Sequence, residues 1–116
     1  GVGEDRPVRY MSPEALGFDA QNEKTDVWGF GVLLWECATM GKIPYSHISD
    51  DEEVVRGVMA GSLRLYQPSG MPTSLFNLMD CCLNHSAEDR PRFAQIKVAL
   101  VRIAEEMGAL GLCTRL

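Results

Sequence analysis

The segment from about residue 26 to residue 40 carries apolar side chains on nearly every face of the helix that its pattern predicts. Thr25 or Asp26 is placed to cap the start of this helix, and Gly41 is placed to end it. A helix without a polar face is normally surrounded by protein. We therefore predict a central helix sheathed by its neighbours, with these apolar residues: Val27, Trp28, Phe30, Val32, Leu33, Leu34, Trp35, Cys37 and Ala38.

Three further helices and one short helical turn are predicted around the central helix. No segment has the alternating apolar pattern of a convincing strand, so the predicted fold class is all-α, with four main helices and one short helical turn. Gly29 and Gly31 lower the helix propensity of the central helix, and close packing against a neighbour is the expected reason. Before the central helix, we predict a loop over residues 1–11 and a short helical turn that is capped by Ser12 and ends at Gly17. After it, we predict one helix capped by Ser49 or Asp50 and ending at Gly61, and a second capped by Thr73 or Ser74 and reaching Cys82. A last helix follows Pro91 and runs to about Met107, and residues 108–116 form a frayed tail.

The size and charge of the chain exclude several classes of protein. A chain of 116 residues is one domain at most, or a piece of one. Its net charge is -5 and it has no cluster of lysines and arginines, which argues against a nucleic acid as partner. No apolar run approaches the roughly 20 residues that a membrane-spanning helix needs, so no transmembrane segment is predicted. No Cys-x-x-Cys occurs, so we expect neither a zinc site nor a disulfide frame, but buried free thiols at Cys37, Cys81, Cys82 and Cys113.

Several short motifs follow one another at a spacing that resembles the C-terminal lobe of a protein kinase, closest to the tyrosine kinases. They are Pro7-Val8-Arg9-Tyr10-Met11-Ser12-Pro13-Glu14, then Thr25-Asp26-Val27-Trp28-x-Phe30-Gly31-Val32, Pro44-Tyr45, Gly61-x-x-Arg64-Leu65-x-x-Pro68 with Met71-Pro72, and Cys81 through Arg90-Pro91-x-Phe93. The resemblance covers about residues 7–104. It implies the C-terminal helical subdomain of the protein-kinase fold over residues 1–107, without the N-lobe and the catalytic loop, and a tail over residues 108–116.

The resemblance assigns structural roles to Glu14, Asp26 and Arg90. In the family, the glutamate of the first motif pairs with the late arginine and clamps the activation segment onto the helical lobe. The planar guanidinium matches a carboxylate in a bidentate arrangement. The alternative is that Glu14 and Arg90 are exposed charges that never meet. Asp26 is either a simple N-cap or, as in the family, also an acceptor for backbone N–H groups of the catalytic loop.

Residues 7–11 resemble the platform that holds the substrate residue after the phosphoacceptor. We assign the substrate platform to Pro7, Val8, Arg9, Tyr10 and Met11. Serine/threonine kinases usually have threonine where Pro7 stands, and proline has no hydroxyl to offer the catalytic aspartate. The resemblance therefore implies tyrosine as the acceptor, although Tyr10 stands where tyrosine kinases mostly have tryptophan. Cys82, where tryptophan is also usual, is a second departure.

The groups that perform the chemistry in this family do not occur in the chain. These groups are the glycine-rich loop, the strand lysine, the His-Arg-Asp loop and the magnesium-binding Asp-Phe-Gly. We predict no catalytic, cofactor-binding or metal-binding residue here, and an inactive isolated fragment. The resemblance implies a parent protein-tyrosine kinase that uses ATP and magnesium on protein substrates with tyrosine, inside the cell, in the cytosol or on the cytoplasmic side of a membrane.

Two alternatives to an active kinase stay open. The first is a pseudokinase lobe that acts as a protein-binding module, and the residues that would decide lie upstream. The second is an unrelated four-helix interaction domain, which predicts no contact between Glu14 and Arg90. The sequence leaves open whether the parent is a receptor, how it is regulated, its oligomeric state and its peptide preference.

The missing upstream helix of the family has one consequence for this chain. That helix should sheath the central helix, so without it we expect an apolar strip to face water. The strip is predicted to include some of Val27, Phe30, Leu34 and Cys37. Poor solubility or self-association is the expected result.

Overall fold

The computed structural model describes the backbone of residues 6–115 and the side chains of residues 6–108. Within that range the chain has no strand, and the predicted all-α class is confirmed. The first five residues of the predicted N-terminal loop, residues 1–5, lie outside the described part. The helices are α1 (Pro13–Leu16), α2 (Glu23–Ala38), α3 (Asp51–Ala60), α4 (Thr73–Cys82) and α5 (Phe93–Arg115), with 3-10 turns at Val8–Tyr10 and Ala87–Asp89.

The helix α2 begins earlier than its apolar pattern predicts. The Asn22 side chain accepts a hydrogen bond from the backbone N–H of Lys24 at 2.9 Å, and the Asn22 N–H donates to the hydroxyl of Thr25 at 3.2 Å. This reciprocal pair is a capping box, so Asn22 is the N-cap. The predicted cap at Thr25 or Asp26 is wrong, because the polar residues before the apolar run already belong to the first helical turn.

Close packing against a neighbour was the predicted reason for both glycines of α2, and the structure shows it for Gly31 alone of the two. A β-carbon on Gly31 would lie 2.9 Å from the side chain of Leu83 and 3.0 Å from that of Cys82. Glycine at this position therefore lets the end of α4 approach the α2 backbone. A β-carbon on Gly29 would meet no atom within 4 Å, so packing against a neighbour does not explain this glycine.

A left-handed glycine follows α2, and α3 has an aspartate cap at its start and a left-handed glycine at its end. α2 ends at Ala38, and Gly41 lies beyond this end with a left-handed φ of 88°. Asp50 caps α3 by accepting from the N–H of Glu52 at 3.1 Å, which is one of the two predicted caps. Gly61 ends α3 in the left-handed conformation, with φ 78°, as the sequence predicts.

The ends of the last two helices differ from the predictions. Pro72 stands at the N-cap of α4 without a side-chain cap, so the predicted cap at Thr73 or Ser74 is wrong. Proline fixes its own φ and leads directly into the helix. The helix α5 runs to Arg115, past its predicted end near Met107. The division into a lobe over residues 1–107 and a tail stays a prediction.

The core consists of two clusters of buried side chains around α2. One joins α2 to α3, to the loops before and after α3 and to α4, and its members include Trp28, Val32, Trp35, Val54, Val58 and Met79. The other joins α2 to α4 and α5 through Val27, Leu78, Cys82, Ile96 and Ile103. This arrangement makes α2 the central helix that its apolar pattern predicts. It also brings α1 and the turn before α5 together at the start of α2.

Candidate functional site

The predicted contact between Glu14 and Arg90 is present. Ser12 caps α1 by accepting from the N–H of Ala15 at 3.2 Å, which places Glu14 in the first turn. Arg90 Nη1 donates to Glu14 Oε2 at 2.7 Å and Nη2 donates to Oε1 at 2.9 Å. The Arg90 side chain is 0% exposed and that of Glu14 is 17% exposed. The pair is therefore a bidentate ion pair largely removed from water.

The remaining donors of Arg90 bind backbone carbonyls. Its Nε donates to Asn84 O at 2.8 Å, Nη1 to Lys24 O at 3.0 Å, and Nη2 to His85 O at 3.3 Å. With the two bonds to the carboxylate, all five N–H groups of the guanidinium have a partner. The guanidinium carbon also lies 5.0 Å from the centre of the Trp28 ring. Arg90 thus joins α1, the start of α2 and the turn before α5.

The charge of Glu14 is stabilised by its partners. Burial raises the pKa of this carboxyl, but the hydrogen bond and charge of Arg90, with a hydrogen bond from the Thr25 hydroxyl, outweigh it and lower the pKa to about 2. The Thr25 Oγ1 donates to Glu14 Oε2 at 3.0 Å. Glu14 is therefore ionised at neutral pH.

Sequence reasoning missed Thr25, Lys24 and Trp28 as partners of the pair. The signal that was available is the spacing Asn22-x-x-Thr25, which is a capping-box pattern and places the Thr25 hydroxyl at the start of α2. Lys24 contributes its carbonyl to Arg90, and its Nζ donates to Arg90 O. No pattern in the sequence indicates this second contact, since it depends on how the start of α2 meets the segment before α5.

Residues 7–11, the predicted substrate platform, lie together directly before α1. Val8–Tyr10 form a 3-10 turn rather than the predicted extended loop. Pro7 and Tyr10 are exposed, and Tyr10 is exposed by 39%. Val8 and Met11 pack against the core cluster of α2 and α3. The outer surface of the platform is therefore formed by a proline ring and a phenol ring.

Two groups of the platform have a specific environment. Burial, with a hydrogen bond to Glu36 and the Glu36 charge, raises the pKa of the Tyr10 hydroxyl. Arg9 turns inward: Nε donates to Asp51 at 2.8 Å, Nη1 to Pro44 O at 3.0 Å and to Tyr45 O at 2.9 Å, and Nη2 to Ile48 O at 2.7 Å. The sequence placed Arg9 in the platform but gave no sign that its side chain faces the protein.

Asp26, the third predicted structural residue, lies apart from the ion pair. Its side chain is exposed in the first turn of α2 and does not cap the helix. Leu33, 53% exposed, and Cys37 continue this open face of α2. Of the four residues predicted for the apolar strip, Cys37 is exposed. Val27 is 0% exposed under α4 and α5, Phe30 packs against the same cluster, and Leu34 packs into the other part of the core.

Three of the four cysteines have described side chains, and the fourth, Cys113, lies outside the described side chains. Cys37 and Cys81 are exposed, so the expectation of buried thiols is wrong for these two. Cys82 is buried, and burial beside Cys81 raises the pKa of its thiol to about 12.

Among the described residues, no group of three or more metal-ligating side chains comes together. In the same part of the chain, no helix is long and apolar enough to cross a membrane.

Comparison with known proteins identifies the family. A match to the family described as protein tyrosine and serine/threonine kinase spans residues 1–100. The chain belongs to the protein kinases, and its relatives place it with the tyrosine kinases.

Three relatives show how much of the family the chain covers. It is 46% identical to "Inactive tyrosine-protein kinase 7" of Gallus gallus over 94 residues, which are 81% of the chain and 9% of the relative. It is 41% identical to "Tyrosine-protein kinase Drl" of Drosophila melanogaster over 100 residues, 86% of the chain and 16% of the relative. It is 43% identical to "Tyrosine-protein kinase abl-1" of Caenorhabditis elegans over 95 residues, 82% of the chain and 8% of the relative. The chain thus spans a small part of each of these proteins.

Proposed function

We propose that this chain binds the peptide segment that follows the acceptor tyrosine, within a protein that transfers the γ-phosphate of ATP to protein tyrosines. The observation that supports the proposal is the partly exposed turn of residues 7–11, which lies directly before α1 and its ion pair of Glu14 and Arg90. A platform fixed to a buried ion pair offers a substrate a surface of constant shape. Such positioning is a main source of catalysis in phosphoryl transfer.

Pro7 supports tyrosine rather than serine or threonine as the acceptor. Its ring is exposed at the edge of the platform and carries no hydroxyl. An apolar ring suits contact with the phenol of a tyrosine, which reaches further from the peptide backbone than a serine hydroxyl. Tyr10 adds an aromatic surface beside the proline ring, so the platform favours apolar contacts with the substrate.

The chemistry of transfer is assigned to parts of the protein outside this chain. ATP supplies the phosphoryl group, and magnesium neutralises charge on the phosphates. The described residues bring together no group of three or more metal-ligating side chains. Its own contribution is to orient the substrate. As an ATP-using kinase lobe it would lie in the cytosol or on the cytoplasmic side of a membrane.

A pair of peptides tests this proposal in the full-length protein that contains the lobe. The peptides share one sequence and differ only in a tyrosine or a serine at the acceptor position. With magnesium and ATP, we expect phosphate on the tyrosine peptide and little on the serine peptide. The isolated chain of 116 residues is the control and should transfer none. Preference for serine, or turnover by the isolated chain, would contradict the proposal.

A second candidate is a lobe without catalysis that binds proteins. It is favoured by the names of several relatives, among them "Inactive tyrosine-protein kinase 7" of Homo sapiens at 47% identity and "Inactive tyrosine-protein kinase RYK" of Caenorhabditis elegans at 42%. Two observations on the full-length protein separate the candidates. An upstream strand lysine, His-Arg-Asp and Asp-Phe-Gly, with phosphate transfer, support the enzyme. Their loss, with no transfer to either peptide, supports the binding module.

A further inference from the structure

We propose that Arg9 is a positioning residue: it ties the substrate platform to the loop of residues 44–48 and to the first turn of α3, and so sets where the substrate lies. This inference rests on the proposed function. It assigns to Arg9 a role different from direct contact with substrate. The guanidinium has four hydrogen bonds to protein groups, and only one of its five N–H donors is left over.

Three of the four bonds of Arg9 go to carbonyl oxygens of one short loop. These carbonyls belong to Pro44, Tyr45 and Ile48, and the Tyr45 carbonyl also accepts the N–H of Ile48 at 2.9 Å. A planar guanidinium reaches several acceptors at fixed angles, which the single ammonium of a lysine cannot reproduce. The carbonyl groups of the loop are therefore arranged to accept hydrogen bonds from the planar guanidinium of Arg9.

The backbone of this loop is held in an uncommon conformation. Tyr45 has φ 57°, a left-handed value that residues with a β-carbon seldom adopt. Its side chain is only 4% exposed, so the ring is fixed in the core while the carbonyl turns toward Arg9. Conformations of this kind persist where the surroundings hold them in place. Arg9 is one of the groups that hold this one.

The contact couples the platform to α3. Arg9 lies between Val8, which packs into the core, and Tyr10, which forms part of the outer surface. Its Nε reaches Asp51 at the first position of α3, but the Asp51 side chain is 67% exposed. The carbonyl bonds, which are partly buried, should therefore matter more than the exposed carboxylate. A shift of the guanidinium would move the exposed rings of Pro7 and Tyr10 together.

Kinetics of the full-length protein test the role with matched variants. We compare Arg9→Ala and Arg9→Lys with Asp51→Asn, and use Arg56→Ala, an exposed arginine of α3, as the control. For both Arg9 variants we expect the KM for a tyrosine peptide to rise about tenfold or more, because small displacements of a bound group cost large factors. The kcat and the KM for ATP should stay within about twofold in all variants. The control Arg56→Ala should also leave the peptide KM within about twofold, and Asp51→Asn should raise the peptide KM less than either Arg9 variant does.

Amide hydrogen exchange tests the tether without any need for turnover. In Arg9→Ala and Arg9→Lys, exchange should become about tenfold faster in residues 7–11 and 44–51 and stay unchanged in α4. If Arg9→Ala does not fold, the exchange of Arg9→Lys alone is compared with that of the unsubstituted protein. Unchanged exchange in both segments would overturn the tether, and faster exchange with an unchanged peptide KM would overturn its positioning role. If the unsubstituted protein phosphorylates no peptide, the proposed function is wrong, while the exchange result still decides the tether.

Discussion

Two arginines of this lobe use the same chemistry in two different settings. Arg90 and Arg9 each bind one carboxylate and several backbone carbonyls. The carboxylate of Arg90 is Glu14, 17% exposed, whereas that of Arg9 is Asp51, 67% exposed. The difference in exposure predicts that the Glu14–Arg90 pair contributes more to stability than the Arg9–Asp51 pair.

The largest effect is expected at Arg90. Replacing Arg90 by alanine strands the Glu14 carboxylate and three carbonyl groups, so the free energy of unfolding should fall by about 3–5 kcal/mol. Chemical denaturation of the chain measures this change. The control Arg56→Ala, at an exposed position of α3, should stay within about 0.5 kcal/mol of the unsubstituted chain. A loss at Arg90 as small as that of the control would remove the contrast between the two arginines.

At low pH, protonation of Glu14 should lower the free energy of unfolding of the chain. The pKa of Glu14 is lowered from 4.5 to about 2 in the folded chain, so the unfolded state binds its proton at a higher pH than the folded state. The stabilisation is therefore fully present above pH 4.5 and is lost as the pH falls toward 2.

A matched variant isolates this contribution. In Glu14→Gln the group no longer titrates, so the unfolding free energy should depend less steeply on pH between 4.5 and 2. Denaturation curves recorded at several pH values for both chains show the difference. Equal slopes in the two chains would mean that the carboxyl has the same pKa in the folded and unfolded states.

An intermediate effect is expected at Arg9. Its alanine variant loses hydrogen bonds from a charged donor to partly buried carbonyls, and the free energy of unfolding should fall by about 1–3 kcal/mol. Denaturation under the conditions used for the Arg90 variant gives a direct comparison. A loss at Arg9 equal to or larger than the loss at Arg90 would show that burial of the carboxylate is not the deciding difference.

The smallest effects are expected at exposed carboxylates. Asp51→Asn and Asp80→Asn should each change the free energy of unfolding by about 0–1 kcal/mol. Asp80 pairs with Arg64, and both of these side chains are more than 40% exposed. Thermal or chemical denaturation at low and high salt checks both variants. A loss of several kcal/mol in either would show that solvent exposure does not weaken these pairs.

Much of the fold follows from local chemistry that can be recognised in the sequence. The Ser12 cap with proline at the next position, the Asp50 cap and the Gly61 terminator are all present in the structure. The apolar pattern of α2 also predicts its central place, because a helix with no polar face has to be covered. The contact of Glu14 and Arg90 was predicted from a resemblance, since nothing local in the sequence relates two residues so far apart.

The missed features depend on tertiary contacts or on competing caps. Asn22 and Thr25 form a capping box that begins α2 earlier than the predicted cap beside the first apolar residue. Which face of α2 stays open depends on where α4 and α5 pack, and they cover Val27 and leave Leu33 exposed. The inward turn of Arg9 depends on three carbonyls that the backbone of a distant loop presents.

A double-mutant cycle on Glu14 and Arg90 tests the central claim most directly. The claim is that a buried ion pair between these two side chains holds the platform segment on the helical lobe. Unfolding free energies are measured for Glu14→Gln, Arg90→Ala and the double variant at neutral pH. We predict that the double variant loses less than the sum of the single losses by about 2–3 kcal/mol, because it strands no charge. Losses that add within about 0.5 kcal/mol would contradict the claim.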